Sequence, residues 1–508
     1  MTVVPWGHDF AALAERFGSA PAVRHNGRSC SFAELIGRAT AVARQLHGED
    51  MAIVGKPVAT FLRNGLPAVW ASYGIMLSGA CETALNPGLA DAELAHCVGL
   101  AGARVVITDH AAAARFRDLP VRVLTVEDLE DARATIDPTL AAPGDAWGKL
   151  IFTSGTTGRP KGIVHSHQGR WLANLILRAH LPFVPQPGNR VLLMTPFSHG
   201  ASLLTYAFLD HGASVELLDG VAVERVRELL ERRAVDCVFA PPTVLAKLVA
   251  AFEGTRFDGL RAIFCGTATL TPTLYRKVRA MFGPIVRVTY GKSEIFNPIT
   301  VLQPDDCDAF YRRADDTGGV SLGWAATGVE IEIRDGARRC APGELGEILL
   351  RARHMMLGEI DAAGFHPIGD GFHATGDVGC LTPSGELMFH GRAHDVIKSG
   401  GYKIYPEEIE SALAGTADGS AIAVVGVASD YWGQIVVAVA ETPPADWPAR
   451  AAAAAGSLTR FKQPRAFLAL PALPRGGQDK VQRARILDAI ADRFRLLDGP
   501  HPRFEALA

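Results

Sequence analysis

An apolar run that passes into a loop of glycines and hydroxyl residues occupies residues 150–162 and reads LIFTSGTTGRPKG. The apolar part, Leu150–Phe152, predicts a short buried strand. The loop that follows supplies flexible backbone N–H groups, hydroxyl side chains and the charge of Lys161, which are groups that bind phosphate. It is not a Walker A loop, because the position that must be the second glycine is Pro160. The stretch therefore predicts a phosphate-binding turn at the end of a strand.

On both sides of this loop, short apolar runs alternate with helix-like stretches. The clearest helix is SFAELIGRATAVARQL at residues 31–46, where apolar residues recur at helical spacing and Ser31 with Glu34 matches a capping box. The predicted strands are Pro57–Leu62, Ala103–Thr108, Val121–Val126, Val191–Met194, Val215–Leu218, Cys237–Ala240 and Ala262–Cys265. This alternation predicts an α/β fold with largely parallel sheets, and it excludes a β-sandwich, whose strands follow one another without intervening helices.

The pattern changes after about residue 330. Val329–Arg334 and Glu347–Arg351 predict strands of a smaller β-rich region, and Pro367–Gly391 is expected to be rich in turns. Beyond Arg392 we predict strands at 395–398, 420–427, 435–441 and 466–470 and helices at 406–413 and 449–455. We therefore expect two domains. Residues 1–391 form a large N-terminal domain of stacked, mostly parallel sheets with helices and a small β-rich subdomain, and residues 392–508 form a small, mobile α+β domain.

Composition and charge limit the class of protein. The 508 residues are 48% hydrophobic and 21% charged, which is typical of a globular protein with more than one domain. A formal charge of −3 gives no bulk attraction to nucleic acid or to an anionic membrane, so we expect neither as a partner. The eight cysteines are scattered without a C-x-x-C pair, and the first residues lack the pattern of a signal peptide. These features predict a cytoplasmic protein with reduced thiols.

Two further motifs in the N-terminal part carry groups that suit a nucleotide. YGKSE at residues 290–294 follows the apolar run Ile285–Val288, and its aromatic ring, glycine turn and carboxylate could stack on a base and hold Mg²⁺. ATGD at residues 374–377 places Asp377 on a glycine turn, where a carboxylate could accept two ribose hydroxyls. Taken alone, each motif also fits an ordinary surface turn.

The C-terminal part holds two more motifs. GRAHDVIKSGGYKIYPEEIE at residues 391–410 begins at the expected domain boundary, where a hinge and a donor such as Arg392 could couple domain motion to a ligand. LPRGGQDKVQR at residues 473–483 presents Lys480 on a glycine-rich loop, which could carry the lysine far from the core of its own domain.

Together and in this order, the five motifs resemble those of the adenylate-forming enzymes, which include acyl- and aryl-CoA synthetases, adenylation domains of nonribosomal peptide synthetases and luciferases. The resemblance extends from the helix at residue 31 to the Lys480 loop, and it is closest to the stand-alone acyl-CoA synthetases. It implies a large N-terminal domain and a small C-terminal domain that swings between two half-reactions.

The resemblance also implies a role for each motif residue. It assigns ATP binding to Ser154, Thr156, Thr157, Lys161, Gly266, Thr267, Tyr290, Gly291, Ser293, Asp377 and Arg392. Within that set, Tyr290 stacks on adenine, and Asp377 and Arg392 hold the ribose. Glu294 binds Mg²⁺ and takes part in catalysis, as does Lys480, which bridges the acid carboxylate and the α-phosphate.

Two further segments follow from the same resemblance. The stretch PFSHG at residues 196–200 resembles the one that gates the acid pocket, which makes His199 a catalytic and pocket residue. Ser399, Gly400 and Gly401 resemble the loop along which the pantetheine arm of the thiol acceptor runs.

The sequence departs from the family's pattern at four positions: His394 at the hinge, Lys292 beside the Mg²⁺ ligand, Thr267 in the adenine-side turn, and Asp479 before the catalytic lysine. Lys292 has two interpretations. Its ammonium either reaches the phosphates or a polar group on the acid, or it points to solvent or pairs with a neighbouring carboxylate. None of the four positions removes a residue that adenylation needs.

The implied reaction is activation of a small carboxylic acid by Mg·ATP as an acyl-adenylate, followed by transfer to a thiol, which we expect to be CoA. Two alternatives stay open. The acceptor could be a carrier-protein pantetheine or an amine, or the chain could be an inactive nucleotide-binding relative. The sequence names neither the acid nor the oligomeric state.

Overall fold

A computed structural model describes residues 3–48, 52–154, 160–314, 319–400, 402–475 and 481–507. Its strands are β1 (Val3–Val4), β2 (Pro21–His25), β3 (Arg28–Ser31), β4 (Pro57–Phe61), β5 (Cys81–Ala84), β6 (Val105–Thr108), β7 (Arg122–Thr125), β8 (Ala142–Pro143), β9 (Trp147–Ser154), β10 (Pro160–Ser166), β11 (Arg190–Leu193), β12 (Ser214–Leu217), β13 (Cys237–Phe239), β14 (Ala262–Cys265), β15 (Val286–Val288), β16 (Thr300–Val301), β17 (Val320–Ala325), β18 (Val329–Asp335), β19 (Arg338–Arg339), β20 (Gly346–Ala352), β21 (Gly358–Asp361), β22 (Gly364–Pro367), β23 (His373–Leu381), β24 (Leu387–Arg392), β25 (Ile397–Ser399), β26 (Tyr402–Ile404), β27 (Ile422–Ser429), β28 (Gly433–Glu441), β29 (Ala466–Leu470), β30 (Phe494–Leu497) and β31 (Arg503–Ala506).

The helices are α1 (Trp6–Phe17), α2 (Phe32–His47), α3 (Leu66–Leu77), α4 (Asp91–Ala101), α5 (His110–Ala113), α6 (Val126–Leu129), α7 (His167–Ala179), α8 (Ser202–Leu209), α9 (Val223–Glu231), α10 (Pro242–Ala251), α11 (Pro272–Phe282), α12 (Pro304–Tyr311), α13 (Pro406–Leu413), α14 (Trp447–Ala455) and α15 (Arg483–Ala491). A π-helical turn at Phe197–Ala201 precedes α8. Across the described ranges, no helix combines the length and apolarity that crossing a bilayer requires.

Two large sheets form the layers of the N-terminal part. The first sheet runs β22-β21-β10-β9-β5-β4-β6-β7, and the second runs β15-β14-β13-β11-β12-β2-β3. Parallel pairing joins β5-β4-β6-β7 in the first sheet and β15-β14-β13-β11-β12-β2 in the second. The seven strands predicted as alternating with helices between residues 57 and 265 are present within two residues of their predicted bounds, and the strand predicted at Leu150–Phe152 is the longer β9 (Trp147–Ser154). The α/β class with largely parallel sheets is therefore confirmed.

Helices α2, α3 and α8 lie between the two sheets and share one core with both of them. In α3 every residue except Pro67 is buried, as expected for a helix that is apolar all round. The predicted helix α2 is confirmed, with Ser31 and Glu34 forming both bonds of the capping box. Gly74 of α3 packs against Val42 of α2 so closely that a Cβ atom would come within 2.5 Å of the Val42 Cβ.

A third sheet, β16-β17-β24-β23-β20-β18-β19, corrects one prediction. The region 367–391 was expected to be rich in turns, but it contains the long antiparallel strands β23 and β24. Its glycines serve close packing as well as turns: a Cβ atom on Gly379 would lie 2.3 Å from the Met388 carbonyl oxygen, and the strand register shifts there. Glycine in a strand interior therefore gave a misleading turn signal.

The residues beyond β24 form a fourth sheet of strands β25–β29, ordered β26-β25-β28-β27 with β29 beside β28. Helices α13 and α14 contribute to the core on one face of it, and α15 contributes to the core on the other. The predicted strands and helices of this part are present, although their bounds shift by up to two residues. The domain boundary at residues 391/392, which falls within two residues of the end of β24, stays a prediction.

A buried network of charges fixes the interior of the N-terminal part. Glu82, Lys149 and Arg170 each have at most 3% of the side chain exposed, and the Glu82 carboxylate accepts from Arg170 and lies 3.3 Å from the Lys149 Nζ. Arg170 also donates to the Tyr206 hydroxyl at 2.6 Å. Burial would raise the pKa of Glu82, but the two cations outweigh it and lower the pKa to about 2.

We predict that Glu82→Gln lowers the free energy of unfolding by about 3–5 kcal/mol at pH 7, because it leaves two buried cations without a counter-ion. Urea unfolding followed by circular dichroism measures this change. The matched control is Glu330→Gln, which breaks an exposed pair with Arg351 and should have little effect. Equal effects of the two substitutions would contradict this account of the network.

Candidate active site

Three of the predicted site stretches follow the carboxyl ends of strands in the second sheet. Strands β11, β14 and β15 belong to one parallel set, in which β14 and β15 are adjacent and β13 separates β11 from β14. They end at Leu193, Cys265 and Val288, respectively. The stretches 196–200, 266–268 and 290–294 follow these three ends. Ligands of open α/β sheets bind outside the carboxyl ends of the strands, so this edge is where a nucleotide site is expected.

The carboxylate of Asp377 is the centre of the site. Its Oδ2 accepts a hydrogen bond from the Tyr290 hydroxyl and another from the Lys292 Nζ at 3.2 Å. The Arg392 Nε lies 3.7 Å from its Oδ1. Only 6% of the Asp377 side chain is exposed. The structure therefore brings residues of the YGKSE, ATGD and hinge motifs to one nearly buried carboxylate.

Local structure at β23 and β24 aims Asp377 into this position. Asp377 pairs directly with Arg392 across the two strands. Gly376 takes a positive φ of 70°, which glycine adopts without strain. The Thr375 hydroxyl accepts from the Asp377 N–H at 3.1 Å and donates to the Ile348 carbonyl at 2.7 Å. These bonds fix the backbone on either side of the glycine.

Tyr290 acts as a hydrogen-bond donor in this site. Burial and the nearby Asp377 carboxylate raise the pKa of the phenol well above its ordinary value. The hydroxyl therefore stays protonated and can donate to Asp377. This contact comes in addition to the adenine stacking that the family resemblance implies for the ring.

The structure agrees with the second interpretation of Lys292, in which the lysine pairs with a neighbouring carboxylate. Its Nζ donates to the Thr375 carbonyl oxygen at 2.6 Å and pairs with Asp377, and 13% of its side chain is exposed. The lysine thus pairs with a neighbouring carboxylate, and this pairing explains why it can be nearly buried. Its contacts give no support to the prediction that it reaches the acid pocket.

Lys161 lies near the start of β10 and is paired with a residue that the sequence analysis missed. Its Nζ lies 2.7 Å from the Glu359 Oε1 on the neighbouring strand β21. Glu294, Lys292, Glu359 and Lys161 all act on the pKa of His373, which burial lowers from its ordinary value. His373 therefore lies within the electrostatic reach of both the Lys161–Glu359 pair and the YGKSE turn. Neither Glu359 nor His373 stands in a recognisable motif.

The remaining phosphate-loop predictions fall outside the described part of the structure. Thr156 and Thr157 lie in the gap at 155–159, and the side chains of Ser154 and His199 are also outside the description. Gly401 and Lys480 lie in two further gaps. The ends of the Lys480 loop are close together, because Arg475 and Val481 form an isolated antiparallel bridge.

Glu294 offers one carboxylate next to this charged group, and Met356 N–H fixes its backbone carbonyl at 2.9 Å. The described residues contain no cluster of three or more candidate metal ligands. This donor set suits Mg²⁺, which binds through one or two carboxylates together with substrate phosphates rather than in a cage of protein ligands.

The turn after β14 carries strain. Thr267 has a positive φ of 69°, a conformation that a β-branched residue adopts only at a cost of about 1–3 kcal/mol. A Cβ atom on the preceding Gly266 would lie 3.0 Å from the Thr289 carbonyl oxygen, so this turn packs directly against the strand end before Tyr290. The threonine at the family's usual glycine position thus keeps the conformation that glycine favours.

The stretch predicted to gate the acid pocket forms the π-helical turn Phe197–Ala201, an irregularity common at functional sites. Asn64, another residue that the sequence analysis missed, holds this turn in place. Its Oδ1 accepts from the Phe197 N–H at 2.7 Å, and its Nδ2 donates to the carbonyls of Thr195 and Leu218. The turn rests on β13, since a Cβ atom on Gly200 would lie 3.5 Å from the Phe239 ring.

At the predicted hinge, His394 is 65% exposed and lies 3.4 Å from the Asp395 carboxylate. Asp395 pairs with Arg483 at 2.7 Å, and Arg483 also binds both carboxylate oxygens of Glu410 and lies 3.3 Å from Glu407. Three carboxylates therefore share one arginine. This cluster ties the hinge to α13 and α15 of the C-terminal part.

Glu407 is the carboxylate of this cluster with a raised pKa. Burial raises its pKa to about 7, the nearby carboxylates of Glu410 and Asp395 add to the rise, and Arg483 opposes it. Its Oε2 lies against Gly391 of β24, where a Cβ atom would approach to 2.5 Å. A group that titrates near neutral pH thus lies where the N-terminal part meets α13.

In the predicted thiol-acceptor loop, Ser399 is buried and Gly400 takes a positive φ of 56° over the Trp432 ring. The Gly400 N–H donates to the Trp432 carbonyl at 2.9 Å. The predicted acceptor loop is therefore anchored to the fourth sheet through Trp432.

We predict that Glu407→Gln raises stability at pH 8 but not at pH 5. A raised native pKa means that stability falls as pH rises from about 4.5 through 7, and the glutamine removes this loss, worth about 1–3 kcal/mol. Urea unfolding at both pH values measures it. The control is Glu408→Gln, on the same helix as Glu407, which removes a pair with the distant Lys462 and should have the same effect at both pH values. A pH-independent effect of Glu407→Gln would contradict the raised pKa.

The chain is similar to known proteins over most of its length. The profile of the AMP-binding enzyme family matches residues 10–358. The 2-succinylbenzoate–CoA ligase of Bacillus subtilis is 27% identical, with 92% of this chain and 95% of the relative covered. The sulfoacetate–CoA ligase of Cupriavidus necator is 30% identical, with 91% and 93% covered.

A solved structure agrees over nearly the whole chain. The o-succinylbenzoate CoA synthetase (MenE) from Bacillus subtilis, in complex with an acyl-adenylate intermediate, is similar with a TM-score of 0.83 and 26% identity, and the match covers 96% of this chain and 98% of that one. The predicted relationship to the adenylate-forming enzymes is confirmed, and this chain belongs to the AMP-binding enzyme family.

Proposed function

We propose that this chain activates a small carboxylic acid with ATP as an acyl-adenylate and then transfers the acyl group to CoA. The observation that carries the proposal is the meeting of Tyr290, Lys292 and Arg392 at the Asp377 carboxylate. These residues belong to motifs that the family uses for adenosine. The relatives support the acceptor, because the two that are compared above are named as CoA ligases.

The chemistry needs positioning and charge rather than covalent help from the protein. A carboxylate oxygen of the acid attacks the α-phosphorus of ATP, the bond to the β-phosphate oxygen breaks, and pyrophosphate leaves. The thiolate of CoA then attacks the acyl carbon, and AMP leaves with the oxygen that came from the acid. Mg²⁺, when bound, neutralises phosphate charge. Positioning and electrostatic stabilisation account for most catalysis of phosphoryl-type transfer.

Within this proposal, Asp377 and Arg392 hold the ribose, and Tyr290 stacks on the adenine beside the Gly266–Thr267 turn. Glu294 is the carboxylate for Mg²⁺. Lys161 lies 2.7 Å from the Glu359 carboxylate, so it must exchange this partner for a phosphate when ATP binds. The remaining proposed phosphate ligands are Ser154, Thr156 and Thr157, and Gly291 and Ser293 are further proposed ATP-binding residues.

The C-terminal part supplies further residues of the proposed site. We assign the bridging cation of adenylation to Lys480 and the path of the thiol to Ser399, Gly400 and Gly401. His199 gates the acid pocket. Residues 392–508 then act as the mobile domain, with the hinge at His394. Free, mostly buried cysteines agree with a reducing compartment such as the cytoplasm.

Acid-dependent exchange of labelled pyrophosphate into ATP tests the first half-reaction. We predict exchange with the native protein and a loss of about 10²–10³-fold in Lys480→Ala, because one transition-state cation is removed. Thioester formation from preformed acyl-adenylate and CoA should survive in the same variant.

The alternatives give different results. Equal loss of both steps would show that the role of Lys480 is misassigned. Exchange without thioester formation from CoA would favour a carrier protein or an amine as acceptor. No exchange with any acid would identify an inactive nucleotide-binding relative.

A further inference from the structure

Arg287 is a buried cation to which the described residues offer no counter-ion. It is the middle residue of β15, and only 1% of it is exposed. Among the described residues its Nε and Nη2 have no hydrogen-bond partner, and the guanidinium carbon lies 5.5 Å from the centroid of the Phe264 ring. A guanidinium with such surroundings is unusual, because buried charges in proteins are normally paired.

The charge cannot be removed by deprotonation at neutral pH. Burial alone lowers the pKa of Arg287 to about 10, which leaves the side chain protonated at pH 7. Arg170 shows the ordinary arrangement in the same protein: it is equally buried, and Glu82, Ser72 and Tyr206 bind it. Arg287 has no such counter-ion among the residues that the structure describes.

The position of Arg287 relates it to the acid pocket. Arg287 pairs with Phe264 on the adjacent strand β14. Phe264 pairs in turn with Phe239 on β13, and Phe239 pairs with Leu193 on β11. These residues form one row on the sheet face that packs toward α8, and the π-helical turn rests on Phe239 through Gly200. The row is therefore apolar except for the cation at one end, and it lies next to the turn that is predicted to gate the acid pocket.

We propose that Arg287 binds a second anionic group of the acid substrate, which makes a dicarboxylic or sulfonated acid the preferred class. This inference rests on the proposed function. The carbon skeleton lies over Phe239 and Phe264, and the distal anion supplies the missing counter-ion through a charge-assisted, bidentate bond. Arg287 is thus the residue that sets specificity, a role that the sequence analysis had considered for Lys292.

The test compares kcat/KM for malonate, succinate, glutarate, sulfoacetate and 2-succinylbenzoate with values for acetate, butyrate and benzoate, using pyrophosphate exchange. The native protein should prefer the acids with two anionic groups. Arg287→Met should lower their kcat/KM about 10- to 100-fold, leave monocarboxylic acids unchanged or improved, and leave KM for ATP unchanged. Arg287→Lys should be intermediate, because it keeps the charge but loses the fork.

Arg261→Met is the matched control, since it removes an exposed arginine that stacks on Phe183 at 3.6 Å, and it should not change the ranking of acids. The melting temperature of ligand-free Arg287→Met should not fall, because the variant loses an unpaired buried charge. A native preference for monocarboxylic acids, or an equal loss with all acids, would overturn the proposal. If Arg287→Met does not fold, Arg287→Lys decides on the same criterion.

Calorimetry without ATP separates this inference from the proposed function. If no acid supports exchange, the proposed function fails. Saturable binding of a dianionic acid that is lost in Arg287→Met would still support the role of Arg287, and absence of such binding by the native protein would overturn it.

Discussion

The site is organised around the nearly buried carboxylate of Asp377, which requires hydrogen-bond donors. Asp377 is held between β23 and β24 and must be satisfied by donors, because an unpaired charge in this position would be costly. Tyr290 and Lys292 meet that need at Oδ2. Among the described residues, Oδ1 has only the Arg392 Nε at 3.7 Å, beyond ordinary hydrogen-bond distance. This oxygen is the one with capacity for the hydroxyls of a ligand.

The scaffold and the site differ in how their buried charged side chains are paired. In the interior, Glu82 is bonded to two cations, and its low pKa records how strongly it is held. At the edge of the second sheet, the described residues give Arg287 no carboxylate, and at the predicted hinge three carboxylates share Arg483. In the scaffold, two buried cations share the Glu82 carboxylate. Among the described residues Arg287 has no carboxylate partner, whereas Arg483 has three, and these are the places where a ligand or a domain movement can supply or remove a partner.

Prediction from sequence succeeded where a local pattern has one physical solution. The capping box at Ser31 and Glu34 begins α2, and the short apolar runs between residues 57 and 265 became parallel strands. It failed at 367–391, because glycines that permit close strand approach look like turn signals. The motifs indicated which residues belong to the site, but their mutual contacts depend on register between distant strands, so the pairing of Lys292 with Asp377 was left open. Arg287, Glu359 and Asn64 gave no signal, since burial and a missing partner are visible only in three dimensions.

The fate of one oxygen atom tests the central claim of acyl-adenylate formation. A single turnover with ATP, CoA and an accepted acid labelled with ¹⁸O in both carboxylate oxygens is analysed by mass spectrometry of AMP and of the thioester. The account predicts one ¹⁸O in each AMP and one retained in each thioester, because the attacking oxygen leaves with AMP. Unlabelled AMP, or ADP in place of AMP, would contradict it.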